Sequence, residues 1–150
     1  METHEYPVNL TWTGGRIGEM SAPTVEGRLP VATPPQFPEG VAGVWSPEHY
    51  FTAAVVSCFM TTFLAIAQAS KLPFASFACD SVGQLSKDEN NRFIMSKVIL
   101  LPRLVIEREE DVERAERILI KAEEACLISN SISSEVELRA SVTLSELILA

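Results

Sequence analysis

Four residues could do chemistry together. Cys58 sits in the most apolar stretch of the chain, Arg16 follows a Gly14-Gly15 pair, Glu48 opens the segment leading to Cys58, and Cys126 lies far downstream. A thiol attacks as its thiolate, and burial in hydrocarbon opposes that ionisation. Cys58 falls about twelve residues inside a predicted helix, too deep for the positive helix end to hold its charge. On sequence alone a cation must reach it, and Arg16 is the candidate. A guanidinium beside the sulfur would favour the thiolate and offer donors to a peroxide oxygen. Glu48 could orient that arginine through a bidentate pair. Cys126 falls just past a second helix, a junction expected to be exposed and mobile enough to form a disulfide. Each residue also has a plainer reading. Cys58 could be a small core hydrophobe, Arg16 an exposed turn residue, Glu48 a carboxylate complementing the helix dipole, and Cys126 a capping-region residue packed on a sheet.

The elements that must position these residues are legible from spacing. Tyr6 to Thr13 alternates and ends at Gly14-Gly15, which predicts a strand and a tight turn, with Ile17 to Ser21 returning. Arg16 then stands at the tip of a hairpin. Glu26 to Ala32 predicts a third strand, and the Pro- and Gly-rich run from Thr33 to Gly43 predicts a loop. Ser46-Pro47-Glu48 is a helix start: a capping hydroxyl, proline at the first helical position, an acid beside it. That helix should run to about Ser70 or Lys71, before Pro73. Phe74 to Lys87 and Arg92 to Glu107 predict strands about an Asp88-Glu89-Asn90-Asn91 turn, with Pro102 implying an edge or a bulge. Glu110 to Ala125 has helical spacing, Leu127 to Ser133 suggests one helical turn, and Val136 to Leu144 alternates as a strand. The class expected is α+β in a single domain over residues 1–150, with a largely antiparallel sheet and a long buried central helix. A helix apolar all round needs cover on two sides. Its own sheet is one cover, and a partner subunit is the simplest other.

Composition narrows the function classes. The net charge is -8, and no basic stripe is visible, which argues against a nucleic-acid partner. Arg103, Arg108, Arg114 and Arg117 are interleaved with acids, as on a solvated helix face. Three cysteines do not make a disulfide scaffold, and the first residues lack a secretory pattern, so a cytoplasmic setting is expected. Phe51 to Ala69 carries no charge and approaches the length of a membrane span, yet it is rich in Thr, Ser and Ala and lacks a basic flank. A buried helix is the better reading, and no membrane partner is expected. Cys79 lies in a predicted strand with no activating neighbours and reads as structural. A Cys-His pair would bring His49 to Cys58, but nine residues of helix span about 13.5 Å. Likewise Glu48 and Cys58, ten residues apart, are separated by about 15 Å of helical rise. If they share a site, Glu48 is expected from a second subunit across a two-fold axis.

Thr13-Gly14-Gly15-Arg16, Ser46 to Phe51 leading into Ser57-Cys58-Phe59, and Ala122 to Cys126 followed by Ile128-Ser129-Asn130 together resemble the OsmC/Ohr family, the osmotically inducible and organic hydroperoxide resistance proteins. The likeness runs over nearly the whole chain. It implies an OsmC-like α+β fold in an intertwined homodimer with two sites at the subunit interface. It implies that Cys58 is the peroxidatic thiol and Cys126 the resolving thiol, with Arg16 and Glu48 activating the former. Cys58 would reduce an organic hydroperoxide, its sulfenic acid would condense with Cys126, and an external dithiol would reset the pair. No metal, haem, flavin or other cofactor is called for. Phe51, Phe59 and Phe63 would form an apolar substrate wall. Two departures stand out: the family usually has proline where this chain has Leu127, and often an acid where it has Ile17. A non-catalytic small-molecule-binding or stress-associated dimer and a thiol redox sensor are the alternative functions.

Overall fold

A computed structural model describes residues 1–146 of the chain. It divides into two compact units, Met1–Tyr50 and a second beginning at Phe51.

The first unit is built on a three-stranded antiparallel sheet, β1 (Asn9–Gly14), β2 (Ile17–Ala22) and β3 (Val25–Ala32), in that order. Gly14 pairs with Ile17, leaving Gly15 and Arg16 as the two-residue loop. Gly15 has φ 56°, a value that L side chains resist and hairpin turns require. The loop after β3 is folded back on itself. Val41 N–H donates to Thr33 O (2.9 Å) and Ala32 N–H to Trp45 O (2.9 Å). A side chain at Gly40 would collide with the Pro34 carbonyl, so the loop depends on glycine there.

Helix α1 (Pro47–Ala69) begins where the sequence places it. Its cap is reciprocal: His49 N–H donates to Ser46 Oγ (3.3 Å), and Ser46 N–H donates to His49 Nδ1 (3.0 Å). Histidine thus takes the place glutamate or glutamine holds in a capping box. The rest of α1 belongs to the second unit and buries Val55, Phe59, Phe63 and Ala67, one residue per turn. Within the single chain this helix is covered along one edge. Met60 and Leu64, on other faces, are each 40% exposed. Among the described residues α1 is the one helix long and apolar enough to cross a membrane, but its buried edge is part of a protein core.

That core lies against a four-stranded sheet of β4 (Phe74–Lys87), β5 (Phe93–Ile106), β6 (Glu135–Leu138) and β7 (Ser141–Leu144). Phe63 stacks on Phe77 at 4.7 Å between ring centroids. Gly83 lets β4 meet Thr52, because any Cβ there would overlap the threonine side chain. Helix α2 (Val112–Ala125) adds Ala115, Ile118, Leu119 and Ala122 to the core. Just before it, Asp111 is an exception to the solvated charged face: it is buried and paired with Arg108 Nε (2.8 Å) and Arg114 Nη2 (3.1 Å).

Two features of the sheet differ from expectation. β5 is central, not an edge, and both β6 and β7 run parallel to it. Parallel pairing follows from the connection, since α2 carries the chain back across the sheet. The alternating run from Val136 to Leu144 is two strands rather than one. Their ladders to β5 end at Leu100↔Leu138 and resume at Arg103↔Ser141, leaving Leu101-Pro102 in the gap. Proline has no N–H for a ladder, and the neighbouring strand is interrupted beside it.

Candidate active site

Cys58 opens the fourth turn of α1, near buried Val55 and Phe59 in the sequence but itself partly exposed. Thr62, one turn on, stands 3.9 Å from its sulfur. The other neighbours come from beyond α2. That helix stops at Ala125, and Cys126 turns the chain away with φ −65°, ψ 113°. The following residues make a tight turn, with a short 3-10 segment at Ser129–Ser131. This turn brings Cys126 near enough to Cys58 for each thiol to shift the acidity of the other. Both are free thiols.

The two sulfurs are driven apart in acidity. Burial pushes Cys58 upward, but the Ile128 amide, the Cys126 thiol, the Thr62 hydroxyl and the Leu127 amide act against it and bring the thiol below its ordinary range. Cys126 is raised. Burial is the main cause; Ser129 hydroxyl and amide partly offset it, and negative charge on Cys58 raises it further. Cys58 is therefore the more acidic thiol of the pair and Cys126 the less acidic one. Within the single chain the groups that lower the Cys58 thiol are all neutral, and Arg16 is not among them. Leu127, Ile128 and Ser129 entered the sequence reading only through the family likeness, and neither they nor Thr62 were read there as neighbours of Cys58. Thr62 carried a signal, its spacing of four from Cys58 along a helix. Backbone amides carry none. Cys126 is also not the exposed junction expected, being 0% exposed. Cys79 is separate from this pair, lying in β4 with its thiol donating to Asp80 O (3.4 Å) and pushed up to about 11 mainly by burial.

The other expected residues lie in different surroundings. Arg16, at the hairpin tip, donates from Nε (3.0 Å) and Nη2 (2.6 Å) to Glu39 Oε2. Within one chain its partner is Glu39 of the proline-rich loop, at φ 61°, whereas Glu48 was expected to reach the site from a second subunit. Glu48 is in the first turn of α1, half-buried. Arg16 also borders an open, mainly apolar groove of about 270 Å³ lined by Leu10, Trp12, Ile17 and Val31 among others. Phe59 and Phe63 do not form a substrate wall. Both are fully buried, packed among Phe74, Phe77 and the β5 leucines, and their role is in the core. Phe51 is half-buried against the same core. Among the described residues no cluster of His, Cys, Asp and Glu could hold a metal ion.

An uncharacterized protein of Bacillus subtilis (strain 168), YmaD, is 26% identical over 144 residues, with 93% of each chain covered. An OsmC-like protein of unknown function from Vibrio cholerae superposes with TM-score 0.84 at 24% identity, over 93% of this chain and all of that one. An organic hydroperoxide resistance protein OsmC from Legionella pneumophila gives TM-score 0.75 at 24% identity, covering 95% and 99%. These likenesses establish an OsmC-like fold. The OsmC-like protein family model matches residues 40–141, a stretch holding both the Cys58 helix and the Cys126 turn, and the chain belongs to that family.

Proposed function

We propose that the protein is a thiol-dependent peroxidase that reduces organic hydroperoxides to alcohols. One observation carries the reading: two free thiols side by side, the partly exposed one acidic and the buried one not. That polarity assigns the roles. The Cys58 thiolate attacks the outer peroxide oxygen, the O–O bond breaks, and the departing alkoxide takes a proton and leaves as alcohol. Cys58 is then a sulfenic acid. Its negative charge is gone, and with it one of the influences that hold Cys126 protonated. Cys126 attacks the Cys58 sulfur, water leaves, and a disulfide forms. An external dithiol exchanges with it and restores both thiols. Arg16 and Glu48 belong to this proposal through the family resemblance. Support for an organic substrate comes from the name of the Legionella relative.

Stopped-flow mixing with cumene hydroperoxide tests the proposal. The reduced protein should consume peroxide rapidly and Cys58→Ser should not; equal, negligible rates in both would end it. Thiol counting separates the alternatives. One equivalent of peroxide should remove two thiols, which a dithiol returns, whereas a non-catalytic binding dimer would lose none.

A further inference from the structure

Three hydroxyl residues, Ser57, Thr61 and Thr62, stand within four positions of Cys58 in α1, and they do not behave alike. Ser57 Oγ donates to Ala54 O (3.3 Å) and Thr61 Oγ1 to Cys58 O (3.0 Å). Both follow the habit of a helical hydroxyl, which turns back to a carbonyl one turn earlier. Thr62 does not. Its Oγ1 lies 3.9 Å from Cys58 Sγ, and that sulfur is its partner within the chain. A spacing of four puts the two side chains on one face of the helix. Threonine is stiff at χ1, so little freedom is lost in holding the hydroxyl there. The direction of the bond depends on charge. A thiol can donate to a hydroxyl or accept from it, but a thiolate has no proton, and the hydroxyl must then donate. Burial works against ionisation at Cys58, and the Thr62 hydroxyl is among the groups that overcome it.

We propose that the Thr62 hydroxyl is a built-in donor to the Cys58 thiolate, a further residue of the reactive site supplied by the same helix as the sulfur it serves. The proposal deepens the peroxidase reading and rests on it for the identity of Cys58 as the reacting group. Its physical content is separate: a charge-assisted hydrogen bond, stronger than one between neutral groups. A hydroxyl also accepts, which ammonium and guanidinium groups cannot do. Thr62 can therefore stay bonded to Cys58 when the sulfur carries a proton as well as when it does not.

Three substitutions separate the hydroxyl from the rest of the side chain. Thr62→Val deletes it and nearly keeps the shape, Thr62→Ala deletes it with a residue that favours helix, and Thr62→Ser keeps it and loses only the methyl. Reduced full-length protein is treated with iodoacetamide across a pH series, and modification of Cys58 alone is followed by peptide mass spectrometry. At pH 7, Thr62→Val and Thr62→Ala should each react about tenfold more slowly than the wild type, the loss expected for one hydrogen bond to a charged group. The midpoints of their pH profiles should lie higher, and Thr62→Ser should follow the wild type. Wild-type profiles in the valine and alanine variants would overturn the proposal. So would a serine variant shifted as far as they are, because packing of the methyl would then explain the effect. Should either deletion lose the wild-type circular dichroism spectrum, the other is compared with Thr62→Ser and decides. No readout uses peroxide. A protein that passes and yet consumes no hydroperoxide would refute the peroxidase reading and leave the donor in place. One that consumes hydroperoxide while all its profiles coincide would refute the donor and leave the peroxidase.

Discussion

Three thiols in one small protein meet three different environments, and their reactivities should separate accordingly. Cys58 is partly exposed and lowered, Cys126 is buried and raised, and Cys79 is pushed up to about 11. Substoichiometric iodoacetamide at pH 8 should therefore modify Cys58 before either other cysteine, read by peptide mass spectrometry. First labelling at Cys79 or Cys126 would contradict the assignment. Cys79 makes a second prediction through linkage. Its folded value of about 11 lies above the ordinary 9.0, so the folded state holds that proton more tightly than the unfolded chain does. The resulting stability is complete below pH 9 and is lost as pH climbs toward about 11. Urea midpoints measured over that window should fall less in Cys79→Ala than in the wild type; parallel declines would refute it. The sequence made the cysteines visible as candidates, because a thiol in a helix and another at a helix end are countable features. It could not display the donors. Leu127 and Ile128 act through N–H groups that every residue but proline owns, and only the fold aims them. Glu39 was hidden for a related reason, since an irregular loop has no periodicity from which a partner across 23 residues can be read.

At the scale of elements, local chemistry predicted starts and types well, and pairing poorly. Ser46-Pro47-Glu48 specifies a helix start whatever surrounds it, and α1 opens there. What the triplet did not announce is the return bond from Ser46 N–H to His49 Nδ1, which completes the cap. Removing either half should cost about 1 kcal/mol, the ordinary worth of an N-cap. Ser46→Ala and His49→Ala should each lower the urea midpoint, while His49→Gln, which can also accept from the cap residue, should recover most of the loss. A His49→Ala variant as stable as the wild type would show that the imidazole contributes nothing to the cap. Strand neighbours are a different matter. The alternation from Val136 to Leu144 reports one buried face but not the direction of the strand beside it. Nor could it foretell a break at Arg139-Ala140, which follows from Pro102 on a strand far away in sequence.

For the molecule as a whole, the pressing quantity is apolar surface left uncovered in a single chain. Only Gly18, Ala32, Pro34 and Ser46 are buried in the first unit. Its sheet displays Leu10 and Trp12, the latter 74% exposed. Fifty residues with so little interior cannot hold a fold by their own burial. In the second unit, α1 leaves Met60 and Leu64 open on faces away from its core edge. The sequence contained the hint, a helix apolar on every side, but nothing in a helical pattern distinguishes cover from the same chain and cover from another. A second copy is the cover we favour, because a two-fold axis supplies both copies with the same remedy at once. Charge opposes it: each chain carries -8, so the contact must gain more from hydrocarbon burial than it loses to repulsion. The expected outcome is a sedimentation mass of twice the chain at micromolar concentration, nearly unchanged by salt. Leu64→Asp, which would place a carboxylate in that contact, should shift the mass toward one chain or lower the melting temperature in a concentration-dependent way. A wild-type chain that sediments alone, with a melting temperature independent of its concentration, would mean that these faces are stable in water and that no second copy is needed to complete the fold.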